Sequence, residues 1–581
     1  MTGMLGREYI RPDERPCVDS LVKGVNPRIV ALAKSRGVVD SDLQDFFYPT
    51  IRNLMPNPST VKDVDGAALL IADAIRDGVG IGMVGDYDVD GATSVAIMQN
   101  FLLDVGCAPE RVRFYIPQRM TEGYGVNEAG VEKLFDEGCR ILLVLDSGTS
   151  SNSVLDHAST LGMRSIVVDH HEIPGDWQKP NAFIINPKRD DDASGLDTLC
   201  TAGLAIMLCV RIASILRERG VAVPDVMDYM GLAALGTVAD LMTLKGLNRA
   251  IVRAGLERMH ILTGLAGLVL GVKGLKKDDN FPTLDSSDLG FKIGPCVNAG
   301  GRINDCNLGS QVLTSENIDD AIAQGVKLAE INKERRVIQD AIEIAAIEKC
   351  KDIPDDTKCV VLYDKDWHPG VIGIVASRVK EHTNLPTVII GTGGKGSGRS
   401  AHGFDLGRAF IDAHKAGILI KGGGHKAAGG LTIDPDRVDE FRVFMNEKAR
   451  DLQKLPNKLD GVIKASDISA AFERSQAMME PFGMGNRKPL WFVPDVMITN
   501  AKWVGGDQAH LSVIFQGDGA RVSGIIFSAR NNALAGLASM MGKRVSLAVE
   551  IKKSDYTGSG ASGIDVVIRE AFASHGGIGV A

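Results

Sequence analysis

Between residues 60 and 250, short apolar runs alternate with amphipathic stretches of helical spacing. The runs at 79–84, 112–116, 141–145, 165–168 and 182–185 read as strands, with helices such as 126–137 and 153–161 between them. That rhythm predicts an α/β fold with a mainly parallel sheet. Ligands of such sheets bind beyond the carboxyl ends of the strands, and Asp86, Asp146 and Asp169 each follow a strand closely. From 315 to 350, apolar residues recur at helical spacing (Ile318, Ile322, Val326, Ile331, Ile338, Ile342, Ala345). This predicts one long helix with Ser315 as its N-cap, stopped by Pro354. At 1.5 Å per residue it spans roughly 50 Å and bridges domains. On it, Asn332, Arg335 and Arg336 face either a substrate groove or solvent. A second, smaller α/β unit starts at Cys359 (strand 359–364, helix 370–380, strand 387–391) and closes near Arg450. It holds the Gly-rich runs 391–398 and 422–430. Short strands at 511–515, 521–527 and 545–551 among Gly-rich turns then predict a small closed β-barrel.

A chain of 581 residues is too long for one core and divides into three or four domains. No stretch approaches the ~18 unbroken apolar residues of a membrane helix; the best candidate, 204–216, is cut by Arg211 and reads as a buried helix, so no membrane is expected. Arg7, Arg11 and Asp13 near the start have no apolar stretch behind them, against a secretory signal. Nine cysteines without C-x-x-C spacing fit neither a disulfide framework nor a zinc ribbon, and point to a reducing cytoplasm. Net charge is −8, which argues against coating nucleic acid through a globally basic surface; a polyanion must be held in a local basic groove.

Two segments carry the chemistry. Residues 85–94 read GDYDVDGATS, with Asp86, Asp88 and Asp90 on a tight turn at a strand end; residues 167–172 read VVDHHE. Carboxylate and imidazole groups converging on strand ends make a site for two hard divalent cations. The first segment also opens like a calcium loop, but that loop needs a bidentate Glu at position twelve, and position twelve from Asp86 is Ile97 in an apolar helix. Asp146, in LVLDSGTSS, is the candidate for a bridging ligand, and Asp240, in ALGTVAD, closes the set. Taken singly, each Asp after a strand is a cap or turn residue; the combination is what points to metal.

These segments resemble the DHH phosphoesterase superfamily, and the whole layout from about Asn26 to Ile551 is similar to its single-strand-specific DNA exonucleases. The resemblance rests on GDYDVDG, RMTEGYG (119–125), LDSG, DHH, GTVAD, NAGGR (298–302), WHPGVIGIVASR (367–378), GSGRS (396–400), GGGHKAAGG (422–430) and EPFGMGN (480–486) in that order. It implies a parallel-sheet DHH catalytic domain (61–314) after an N-terminal helical segment (1–60). A connecting helix (315–350), a smaller α/β DHHA1-type domain (351–450) and an OB-like β-barrel (451–581) complete the chain. It further implies that Asp86, Asp88, Asp146, His170 and Asp240 ligate two Mn²⁺ or Mg²⁺ ions. His171 is then the second histidine, facing phosphate, with Asp169 orienting the imidazoles and Asp90 shaping the turn.

Two metal ions activate water directly, so no side-chain nucleophile is required, and Ser147, Thr149 and Ser150 read as turn and cap hydroxyls. Polarity falls to the second domain. Backbone amides of a Gly-rich turn form an anion nest, and Arg302 and Arg399 add charge for a terminal phosphate. Arg119 and Ser397 join them by resemblance, with His368, Arg378 and His425 as further groove candidates. The glycines of GGGHKAAGG serve equally to pack a helix on a sheet. In the barrel, Phe482, Trp491, Phe492, Trp503 and Tyr556, with Arg487, Lys488, Lys552 and Lys553, are either core or stacking material.

The chain departs from the usual pattern at Ser147, where Asn is common, at Cys296, where Arg is common, and at Thr201, where Gly is common. The implied activity is a metal-dependent 5′ to 3′ exonuclease releasing nucleoside 5′-monophosphates from single-stranded DNA in recombination and repair. Single-strand-binding protein and a helicase are the implied partners. The alternatives are a phosphodiesterase of short oligoribonucleotides or small nucleotides, and a non-catalytic single-strand scaffold.

Overall fold

The computed structural model describes residues 1–10, 12, 22–119, 121–453, 455–506, 508–554 and 563–573. Arg11, Asp13, Met120 of the RMTEGYG motif and Tyr556 lie outside these. Contacts divide the chain into two compact units, one of Asn57–Asp240 and Gly255–Lys454, the other of Met1–Pro56, Leu241–Ala254 and Leu455–Ala581. Among the described residues no helix is long and apolar enough to cross a membrane, and the eight described cysteines are free.

The first unit opens with a five-stranded parallel sheet. Its order is Val112–Tyr115, Gly80–Gly85, Cys139–Leu145, Arg164–Val168, Phe183–Ile185. The strands are apolar on both faces, as a sheet covered on both sides by helices requires. The strands preceding Asp86, Asp146 and Asp169 are consecutive neighbours, so the three carboxylates leave the same edge side by side. Helix Ile318–Cys350 runs 33 residues. Its N-cap is Asn317, whose side chain accepts from the Asp319 and Asp320 amides; Ser315 instead donates to the Asn317 carbonyl. The helix start is therefore set two residues later than the spacing predicts, where an amide oxygen reaches two unpaired N–H groups. Its first half lies against Thr263–Lys273 at glycine contacts: a Cβ on Gly267 would meet Ala321 Cβ at 2.3 Å. Its second half supplies Ile342 and Ala346 to the core of the next sheet.

That second sheet runs Lys421–Gly424, Ala428–Thr432, Lys395–Arg399, Thr387–Ile390, Val360–Tyr363, with only the last pair parallel. The Gly-rich segments 396–399 and 428–430 are thus ladder strands, and the turns of the two runs lie at 392–394 and 425–427. The glycines admit helix Leu406–Lys415: a Cβ on Gly429 would lie 2.9 Å from the Phe410 ring, and one on Gly407 2.3 Å from the Gly424 carbonyl.

The other unit is built on a closed barrel, Trp491–Val504, His510–Gly517, Ala520–Ile526, Ile564–Ala573, Arg544–Lys553 and back to the first. The opening strand is hidden in the sequence because Pro494 interrupts it; a register shift between Val493 and Val496, with Asp495 at φ 47°, absorbs the proline as a bulge. Ile29, Leu32, Leu43 and Phe47 of the N-terminal segment share one apolar cluster with Trp491 and Val513. Arg249 is fully buried there, donating to the carbonyls of Phe46, Met479, Glu480 and Pro481 at 2.9–3.3 Å. Burial pushes its guanidinium down to about 9.

Candidate active site

At the carboxyl edge of the first sheet, Asp86, Asp146, Asp169 and His170 are buried, and Asp88 and Asp240 are half-buried. Asp88 is the N-cap of helix Val89–Asp104, accepting from the Asp90 and Gly91 amides at 2.9 and 3.1 Å. The turn is tight enough that a Cβ on Gly91 would sit 2.3 Å from the Asp86 carbonyl, which explains the glycine closing GDYDVDG. Asp146 holds φ 65°, a left-handed conformation that turns its carboxylate across the strand ends. His170 Nε2 lies 3.4 Å from both Asp146 Oδ1 and Asp240 Oδ2 and 3.7 Å from Asp90 Oδ2. Asp240 arrives from elsewhere, as the C-cap of helix Met230–Ala239. Three overlapping groups place their ligand atoms within 4.8 Å of one another: Asp86, Asp88 and Asp146; Asp90, His170 and Asp240; Asp146, His170 and His171.

So many carboxylates cannot all be charged without compensation. Burial, then the neighbouring acids, hold Asp86 and Asp146 well above the usual carboxylate range, and push Asp240 up to about 8. Burial lowers His170. Asp169 goes the other way. Burial opposes its charge, but hydrogen bonds from the His171 ring, the Thr149 hydroxyl and the His171 amide outweigh that and keep it ionised. The same contact lifts His171 above its ordinary value against its own burial. Asp169 Oδ1 takes the His171 ring nitrogen at 2.7 Å but only the backbone amide of His170, so it orients one imidazole and not both.

The arginines gather on the second sheet's side. Arg302 donates to the Gly370 carbonyl at 3.0 Å, and the Gly370 amide donates to His368 Nδ1 at 3.1 Å. Arg399 donates to Ser397 Oγ at 3.1 Å, and a Cβ on Gly373 would meet both of these side chains. Arg119 lies 5.2 Å over the Tyr87 ring. Burial first, then the charges of Arg119, Arg335 and Arg399, push Arg302 down to about 10, the signature of positive charge packed without enough counter-charge. Arg119, Arg302, His368, Ser397 and Arg399 thus come together. Arg378 does not: it is exposed and paired with Glu381 at 3.2 Å. His425 sits exposed on the Gly-rich hairpin, and its charge is felt at Glu172.

Three stretches match known family models: DHH family, N-terminal domain, at 80–237; DHHA1 domain at 356–451; RecJ OB domain at 459–566. The chain is 32% identical over 553 residues to the single-stranded-DNA-specific exonuclease RecJ of Salmonella typhimurium, covering 90% of this chain and 93% of that one. To the enzyme of the same name from Escherichia coli K12 it is 30% identical, covering 86% and 89%. The chain belongs to the RecJ family. The crystal structure of RecJ from Thermus thermophilus in complex with Mn²⁺ superposes with a TM-score of 0.78 at 26% identity, over 98% of this chain and 81% of that one.

In this RecJ-family chain, the contacts of several residues that the sequence singles out come from the structure alone. Asp90 accepts the Thr201 and Ala202 amides with both oxygens, at 2.7 and 2.9 Å, capping helix Thr201–Glu218 from outside. Tyr124, inside the RMTEGYG motif, donates to the Asp146 carbonyl at 2.9 Å and stands 3.0 Å from His171 Nε2. On the long helix, Asn332 and Arg335 turn inward and Arg336 outward; Arg335 is held by the amide oxygens of Asn332 and Gln339. Tyr124 lies within a quoted motif, and a buried arginine at helical spacing from apolar residues is the available signal for Arg335.

Proposed function

We propose that this protein is a divalent-metal-dependent exonuclease that degrades single-stranded DNA from the 5′ end to nucleoside 5′-monophosphates. The observation that carries the reading is the ring of Asp86, Asp88, Asp146, His170 and Asp240 at one sheet edge, whose carboxylates cannot all be charged unless cations join them. The donor set fits Mn²⁺ or Mg²⁺: Asp86 Oδ1 and Asp240 Oδ2 are buried with no hydrogen-bond partner, and oxygen-rich ligation with one imidazole suits hard ions. These five side chains would hold two ions. When bound, a metal pair lowers the pKa of water and neutralises charge on the reacting phosphate.

The chain's own residues do the rest. Asp169 and Thr149 fix the His171 ring, whose Nε2 edge stands 3.0 Å from the Tyr124 hydroxyl, and this pair can meet a phosphate oxygen. Arg119, Arg302 and Arg399, with Ser397 and His368, offer forked donors for a terminal phosphate and so set the direction of digestion. Thr149 is not asked to attack, since its hydroxyl is committed to Asp169. The barrel, a module able to stack bases, favours a long polymer over a dinucleotide. The same reading divides the chain at 60, 314, 350 and 450. It places the work in the cytoplasm, beside a helicase and a single-strand-binding protein in recombination and repair.

The test is digestion of 5′- and 3′-labelled strands with Mn²⁺ or Mg²⁺. Mononucleotides should appear from the 5′ end of single strands; efficient attack on blunt duplex, or digestion only from the 3′ end, refutes the reading. Asp146→Ala should abolish turnover while retaining strand binding.

A further inference from the structure

We infer that Thr201 is a positioning residue for Asp146, its hydroxyl holding that carboxylate in the orientation the metal pair requires; the inference rests on the metal-site reading above. Thr201 is the first residue of helix Thr201–Glu218 and has no exposed surface. A threonine at an N-cap spends its hydroxyl on the helix's own amides, but Thr201 stands one residue further in, after the N-cap Cys200. Here that need is met from outside, because Asp90 accepts the first two amides with its two oxygens. The Cys200 N-cap supplies no side-chain bond either. The Thr201 hydroxyl is therefore free, and it donates to Asp146 Oδ1 at 3.1 Å.

Among the described residues this is the one hydrogen bond that the Asp146 carboxylate accepts. The strongest charges acting on Asp146, those of Asp90, Asp88, Asp86 and Asp240, all repel it. A lone neutral donor in a dry pocket decides where such a carboxylate points. Thr201 is the first residue of its helix, so its hydroxyl is carried on fixed backbone and reaches Asp146 Oδ1. The same oxygen lies 3.4 Å from His170 Nε2, so Oδ1 is held between two groups and the carboxylate cannot rotate freely. Asp90 thus acts at one remove, seating the helix whose first hydroxyl steers Asp146.

Calorimetric titration of the metal-free full-length protein with Mn²⁺ tests this, using wild type, Thr201→Val, Thr201→Ala, Thr201→Ser and an Asp146→Ala control. Losing a partner that orients a ligand typically weakens metal binding about 10- to 100-fold. Thr201→Val and Thr201→Ala should each weaken one of two bound ions by at least about tenfold, with kcat falling and KM for a single strand unchanged. Thr201→Ser should restore the wild-type isotherm. If the bulk of valine prevents folding, the alanine variant carries the test, with melting in EDTA as the check on fold. Wild-type Mn²⁺ binding in the alanine variant, with an ion lost in Asp146→Ala, overturns the positioning role and leaves the metal site standing. An equal loss in Thr201→Ser overturns it too, since the hydroxyl would then be irrelevant. Unchanged binding in Asp146→Ala removes both the inference and the reading beneath it.

Discussion

Gly236→Ala should damage the metal site without touching a ligand. Gly236 lies in helix Met230–Ala239, four residues before Asp240. A Cβ there would lie 2.7 Å from Thr93 Oγ1, 2.8 Å from Ala202 Cβ and 2.9 Å from Asp90 Oδ1. Carbon atoms attract best at about 3.5–4.0 Å, so the Ala202 contact alone demands a retreat of roughly 0.7–1.2 Å. None of the three neighbours is a flexible tip: Thr93 and Ala202 belong to two other buried helices, and Asp90 is bonded at both oxygens. The helix end must move and carry Asp240 away from His170. Overpacking of this kind costs about 1–3 kcal/mol, and misplacing a catalytic group by about 1 Å costs up to ~100-fold in rate. Calorimetry with Mn²⁺ should show one weakened ion, and a single-strand digestion assay a kcat lowered about 10- to 100-fold. Gly175→Ala, where a Cβ meets nothing within 4 Å, is the control. Two wild-type Mn²⁺ affinities and wild-type turnover in Gly236→Ala would refute the claim that this close approach fixes Asp240.

Metal-free stability should fall with rising pH. Asp86 and Asp146 are held well above the usual range and Asp240 at about 8. Against an unfolded value of about 4, the stability they contribute is complete at low pH and is lost as pH climbs through the folded values. Melting in EDTA should therefore weaken between about pH 5 and pH 8.5, and the gain from Mn²⁺ should grow over that window as binding expels the protons; a flat or climbing EDTA curve contradicts this. In the barrel, the half-buried Trp503, with Arg530 4.8 Å over its ring, is available to a base, so Trp503→Ala should weaken long-strand binding by about 1–3 kcal/mol with the fold intact. Trp491, 3% exposed and bonded to Gln476, should instead cost about 3–5 kcal/mol of stability when truncated, and a Trp491→Ala barrel with unchanged melting would contradict the core assignment.

What the sequence made legible was set by local rules. Apolar runs located the strands of the first sheet within a residue or two, and a carboxylate just past a parallel strand must sit at the ligand-binding edge, so Asp86, Asp146 and Asp169 could be placed together from the sequence. What stayed hidden was set by partners that arrive through space. Asp90 has the same spacing as Asp86 and Asp88, yet it is drawn off to a helix start 111 residues away. Glycines 396, 398, 429 and 430 have no strand propensity and read as turns, but at Gly398 and Gly429 the absent side chain is what lets helix Leu406–Lys415 and its Phe410 press against the sheet. Arg378 and Arg399 look alike as basic residues near glycine; only burial separates them, since one pairs with Glu381 in solvent while the other is pinned beside Ser397. Composition pointed the same way for a different reason. A net charge of −8 contradicts a polyanion-binding protein only if charge is averaged over the surface. Here acids are concentrated where cations would neutralise them and arginines are crowded enough to push Arg302 down, so the local charge departs from the total.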